Sequence, residues 1–153
     1  MADPITFPST TTNFEFPLLF SGQAQKEFFL NQSISLIDAM LAATAVQTIG
    51  SPPASPTEGE CYIVDPTPSG DWAGHQDQIA IRIGGDWHFV PPHDGMSVFD
   101  QDAGVTKHYD GGWVAASQVA QPTGGSSVDA EARAAISALL GELRKLGILP
   151  NLP

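Results

Sequence analysis

Cysteine is almost missing from this chain. Cys61 stands alone, which excludes an intrachain disulfide. Its setting, Cys61-Tyr62-Ile63-Val64, reads as a strand with a small buried hydrophobe. Charge is scarce as well, at 15% of residues against about 25% in an average globular domain. Cations are the scarcer sign, with 6 Lys and Arg against 17 Asp and Glu, a net charge of −11 and a pI near 4.4. Lys26, Arg82, Lys107, Arg133, Arg144 and Lys145 are scattered, and nucleic-acid phosphates need clustered Lys and Arg. No nucleic acid partner is therefore expected, and an anionic membrane is disfavoured for the same reason. No apolar run approaches the ~18 residues of a membrane span. The opening MADPITFPST lacks the basic and apolar segments of a signal peptide, so a soluble protein is expected.

Catalytic patterns are missing too. There is no Gly-x-Ser-x-Gly, His-Glu-x-x-His, Cys-x-x-Cys or glycine-rich phosphate loop. His75, His88, His93 and His108 have no carboxylate or nucleophile tied to them by spacing. Asp71, Asp77, Asp86 and Asp94 lie in turns and show no sign of the convergent pair that glycoside hydrolysis needs. The run from Asp100 to Gly104 starts like a calcium loop but lacks the later ligands, so it reads as a hairpin turn. Asp71, His75 and Asp77 match no metal-ligand spacing. No enzyme activity, cofactor or metal site is expected.

What the chain has is glycine, proline and a repeated β pattern. Gly contributes 15 and Pro 13 of 153 residues, more together than the roughly 12% of average usage, which implies many turns and little helix. Ile79, Ile81, Ile83 and Trp87 recur 26 positions later as Val105, Lys107, Tyr109 and Trp113. Gly84-Gly85-Asp86 recurs as Asp110-Gly111-Gly112. Each copy reads as a strand, a tight turn at positive φ, and a Trp opening the return strand. Equal repeat positions imply an equal packing role for Trp87 and Trp113. Trp72 stands outside the repeat and is the candidate for an exposed ring. With His75 beside it, Trp72 is the candidate ligand-binding position, because aromatic faces stack on sugar CH groups.

The flanks complete an α+β fold. Residues 1–20 read as an extended arm with three prolines, and Phe7, Phe14 and Phe16 suit an arm laid along a neighbour. Residues 21–50 hold an N-terminal helix, expected over 23–46 and capped by Ser21. Its apolar face carries Leu30, Ile34, Ile37 and Leu41, with Glu27, Asn31, Ser35 and Asp38 opposite. That apolar face packs either on the β unit or on copies of itself. Residues 51–114 form a small antiparallel β domain of repeated hairpins, and 115–127 are a linker. A C-terminal helix follows over 128–149, capped by Ser127 and stopped by Gly147. Ala132, Ile136, Leu139, Leu143 and Leu146 recur in a 4-3-4-3 heptad seam. The helix is too short to be stable alone, so it docks on its own domain or, the preferred reading, oligomerises.

Several motifs in order carry a family resemblance. They are Pro17 to Glu27 (PLLFSGQAQKE) with Asn31, Asp38-Ala39-Met40-Leu41, Pro53 to Tyr62 (PASPTEGECY), Gly70-Asp71-Trp72-Ala73-Gly74-His75, and Gly85-Asp86-Trp87 through Pro92 with Asp94-Gly95-Met96. From about Phe16 to Trp113 the chain resembles an uncharacterised domain family of phages, prophages and gene transfer agents of alphaproteobacteria. The resemblance implies a virion component made in the bacterial cytoplasm, with relatives among head spikes and tail fibres that contact the host surface. It implies no catalytic residues. The expected partners are further copies (a trimer favoured, a pentamer the other symmetry), virion proteins gripped by the arm, and host surface polysaccharide. The alternative is an adaptor that joins the particle to a separate adhesin.

Overall fold

The computed structural model describes residues 9–22, 26–120 and 129–150. The chain divides into two compact units, Met1–Pro92 and His93–Pro153. The strands expected over 51–114 fall in two small sheets. The break falls at Pro91-Pro92, where no amide can continue a ladder.

In the first unit, helix α1 (Lys26–Ala42) precedes strands β1 (Thr44–Ala45), β2 (Thr48–Ile49), β3 (Cys61–Val64), β4 (Ile79–Ile83) and β5 (Asp86–Val90). The helix ends earlier than its pattern suggests. Ala43 takes φ 47°, a left-handed value that halts a helix, and the chain then enters extended structure. The sheet runs β2-β3-β4-β5. β2 lies parallel to β3, with Thr48 opposite Ile63, and the remaining pairs are antiparallel. Gly84 and Gly85, at φ 62° and 84°, make the two-residue turn that the hairpin requires.

Both faces of this sheet are covered. α1 lies over the face carrying Ile79, Ile81 and Ile83, and Gln32 of the helix meets His88 of β5 at 2.9 Å. The face that alternation assigns to solvent holds Ala80 at 0% exposure, packed with Tyr62, Val64 and Trp72. Trp72 is delivered there by a short 3-10 turn, Gly70–Trp72, hung from the sheet by Ser69 N–H donating to the Gly50 carbonyl. Alanine at the middle of β4 leaves the room that this indole fills.

The second unit holds β6 (Ser97–Asp100), β7 (Val105–Tyr109), β8 (Trp113–Ala115) and helix α2 (Ala130–Lys145). The three strands form an antiparallel meander. β4 and β7 stand at the repeat offset, but the turns differ. Ile83 pairs with Asp86 across two residues, whereas Tyr109 pairs with Trp113 across three. Since side chains alternate between faces, one extra residue reverses the face. Trp87 opposes Arg82, on the Ala80 face. Trp113 opposes Tyr109, on the face equivalent to the isoleucines, so the two tryptophans do not share a packing role.

α2 is capped by Asp129, whose carboxylate accepts the Ala132 N–H at 2.8 Å. Ser127, the expected cap, lies outside the described residues. The C-terminal end docks on β7: Thr106 N–H donates to the Gly147 carbonyl at 2.6 Å. Gly147 stops the helix as expected, at φ 66°.

The described part of the arm is not extended. Residues 9–20 fold back on their own unit, with Thr10 bridged to Pro17. The cause is Asp38, fully buried on α1, which accepts from the Thr11 hydroxyl, the Asn13 amide and side chain, and the Phe14 amide at 2.7–2.9 Å. Asn31 fixes the next stretch through Leu19, accepting from its N–H and donating to its carbonyl. Phe7 and the other residues of 1–8 lie outside the described residues.

Candidate functional site

The arm decides which way α1 faces. Its polar stripe turns inward, because Glu27, Asn31 and Asp38 all bond to the arm. Burial pulls the Asp38 carboxyl towards protonation, but the Asn13, Thr11 and Phe14 donors outweigh it and hold its pKa below the usual carboxylate value. Of the face expected to pack either on the β unit or on copies of the helix, Leu30, Ile37 and Leu41 are exposed, together with Phe28 and Phe29. The sequence could not show this, since it needs a polar segment to compete successfully for the helix's inner face.

α2 is split between two roles. Leu140 is buried, as are Gly147 and Leu149 just past the helix, while Ala132, Ile136, Leu139 and Leu146 are exposed, Leu139 at 60% and Leu146 at 70%. Leu143 is half-buried. One stripe thus docks on its own unit, and four of the five heptad positions face outward. A continuous apolar row of this kind is what a helix presents to a partner helix.

The Trp72 site does not present a ring to a ligand. Trp72 is 0% exposed, enclosed by Tyr62 (5.9 Å), Trp87 (5.0 Å) and Phe89 (6.5 Å) between ring centroids. An apolar ring of this size is worth more in the core than at the surface, and Ala80 made space for it. His75 is half-buried, stacked on Phe89 at 3.6 Å, with Nδ1 facing Gln78 Oε1 at 3.1 Å. His75 and Trp72 therefore meet around Phe89 as packing partners. The half-buried rings at the surface of this cluster are Trp87, Phe89 and His75, with the Arg82 guanidinium 5.3 Å from the Trp87 ring. The Phe89 platform has no local signature, because it depends on how the 3-10 turn and the β4-β5 hairpin are brought together.

The first unit also has a cleft of about 450 Å³, bounded by Leu18, Leu19, Phe28, Ile83, Glu58 and His88. Glu58 accepts from the Gly84 and Gly85 amides, so its carboxylate serves the hairpin turn. Asp100 is buried, pairs with Lys107 at 2.8 Å and accepts from Ala103 N–H, which is the turn role expected of it. Burial pushes the Cys61 thiol up to about 12, with the Asp38 charge adding to it, so the thiolate is suppressed. Among the described residues no group of three His, Cys, Asp or Glu could hold a metal ion, and no helix is long and apolar enough to cross a membrane.

No curated protein matches the chain. A family model described as protein of unknown function (DUF2793) matches residues 30–114. The matched region starts in α1 and ends in β8, stopping before α2. With more than half of its length matched, this chain belongs to the DUF2793 family.

Proposed function

We propose that this protein is a structural subunit of a phage or gene-transfer-agent particle, a head-spike or tail-fibre component working as one of several identical copies at the host surface. The observation that carries the reading is the outward heptad row of α2. A soluble monomer gains nothing from presenting Ile136, Leu139 and Leu146 in register, whereas copies arranged round an axis bury them together. The particle itself is inferred from the ordered motifs between Phe16 and Trp113. Attachment through several copies tolerates weak single contacts, and Trp87, Phe89 and His75 are the rings available for host polysaccharide.

Light scattering on the full chain tests the assembly. A mass of three or five times 16.1 kDa is expected, falling when Leu139→Glu and Leu146→Glu are combined. A wild-type chain that stays at 16.1 kDa at micromolar concentration overturns it. Immunogold labelling of purified particles tests the placement, and absence of label refutes it. The burial of Trp72 favours a second reading, an adaptor that joins the particle to a separate adhesin. Adsorption of the isolated protein to encapsulated cells supports attachment, and its failure supports the adaptor.

A further inference from the structure

The outer face of α1, in the first unit, is a second apolar surface built from residues other than those of the α2 seam. Phe29, Leu30, Ile37 and Leu41 are 47–75% exposed, and Ile34, Leu36 and Met40 are half-buried beside them. We propose that this face is a self-association surface that receives α1 of a second copy of the chain.

Three observations select that occupant. First, Leu30, Ile34, Ile37 and Leu41 follow 4-3-4 spacing, which meshes with a helix of the same repeat, and an identical helix supplies it. Second, the stripe bears no charge. From Phe28 to Ala42 the helix has one ionisable residue, Asp38, and that carboxylate is turned inward onto the arm. Copies with net charge −11 repel over much of their surface, but they can meet here without opposing charges. A basic partner would find no anion to grip, and anionic lipid would find Lys26 alone at the helix start. Third, the area is right for a contact between copies. The stripe exposes roughly 500 Å² of apolar surface, so two copies would bury about the 1,000 Å² at which specific contacts begin. Such a contact is weak alone and effective in a multi-copy assembly.

The test uses the full chain carrying Leu139→Glu and Leu146→Glu, so that the α2 seam is silenced and the two surfaces are read separately. Sedimentation equilibrium of this chain is expected to show a reversible dimer. Adding Leu30→Glu and Ile37→Glu should weaken it at least tenfold, with circular dichroism unchanged because both positions face water. Leu41→Gln, a milder change, should weaken it in the same direction. A background chain that remains at 16.1 kDa up to about 100 µM, or a dimer indifferent to all three α1 substitutions, overturns the proposal. So does co-flotation with zwitterionic lipid vesicles that is lost on Ile37→Glu, which would assign the face to lipid.

Discussion

The Asp38 carboxylate takes the Thr11 hydroxyl at 2.7 Å, across 27 positions of chain. That bond, with the Asn13 and Phe14 donors on the same carboxylate, fastens the arm to the helix. Replacing Asp38 by Ala strands the buried Thr11 hydroxyl and the part-buried donors of Asn13 and Phe14. A loss of about 2–3 kcal/mol is expected, read from urea midpoints, together with faster proteolysis between residues 9 and 20. The sign of the pH effect follows from the lowered pKa. The contribution is complete above the unfolded value near 3.8 and is lost as pH falls through the folded one. The gap between wild type and Asp38→Ala should therefore stay constant down to about pH 5 and close in stronger acid.

Cys61 is buried on β3, with its thiol pushed up to about 12. At pH 8 it should resist iodoacetamide in the folded protein and react within minutes in 6 M guanidinium. Mass spectrometry reads both. Rapid alkylation of the native protein would show that β3 opens readily.

Trp72→Ala removes the largest fully buried side chain. A cost of about 3–5 kcal/mol is expected, with loss of the near-ultraviolet signal that Trp72 and Trp87 give as an edge-to-face pair 5.0 Å apart. Any loss of cell adsorption in that variant would report unfolding. Trp87→Ala, at a half-buried ring, is the variant that separates a surface role from a core one.

Gly147 holds φ 66°, and a Cβ there would lie 2.8 Å from the Phe99 ring. Gly147→Ala should cost at least about 1 kcal/mol from the backbone alone, with α2 released from β7. Amide exchange at Thr106, whose N–H is bonded to the Gly147 carbonyl, should speed up while Ile81 in the first unit stays protected.

The strands were readable because their signals are local. Alternation and Gly-Gly turns lie within a few residues, and β4 and β7 fall where the repeat puts them. The Gly147 stop was equally local. Three features were not readable because they depend on distant partners. Trp72 is buried because Ala80, on another element, leaves it room. α1 turns its polar side inward because Thr11, Asn13 and Phe14 compete for it. The faces of Trp87 and Trp113 depend on one residue of turn length, which a match of residue types passes over.

The unequal turns have a consequence for folding, since similar ribbons in one chain can exchange strands. Here the two β-ribbons of one chain look alike in sequence, yet a return strand lodged in the wrong ribbon would carry its indole to the opposite side of the sheet. A return strand is therefore held to its own ribbon by the side on which its indole must pack.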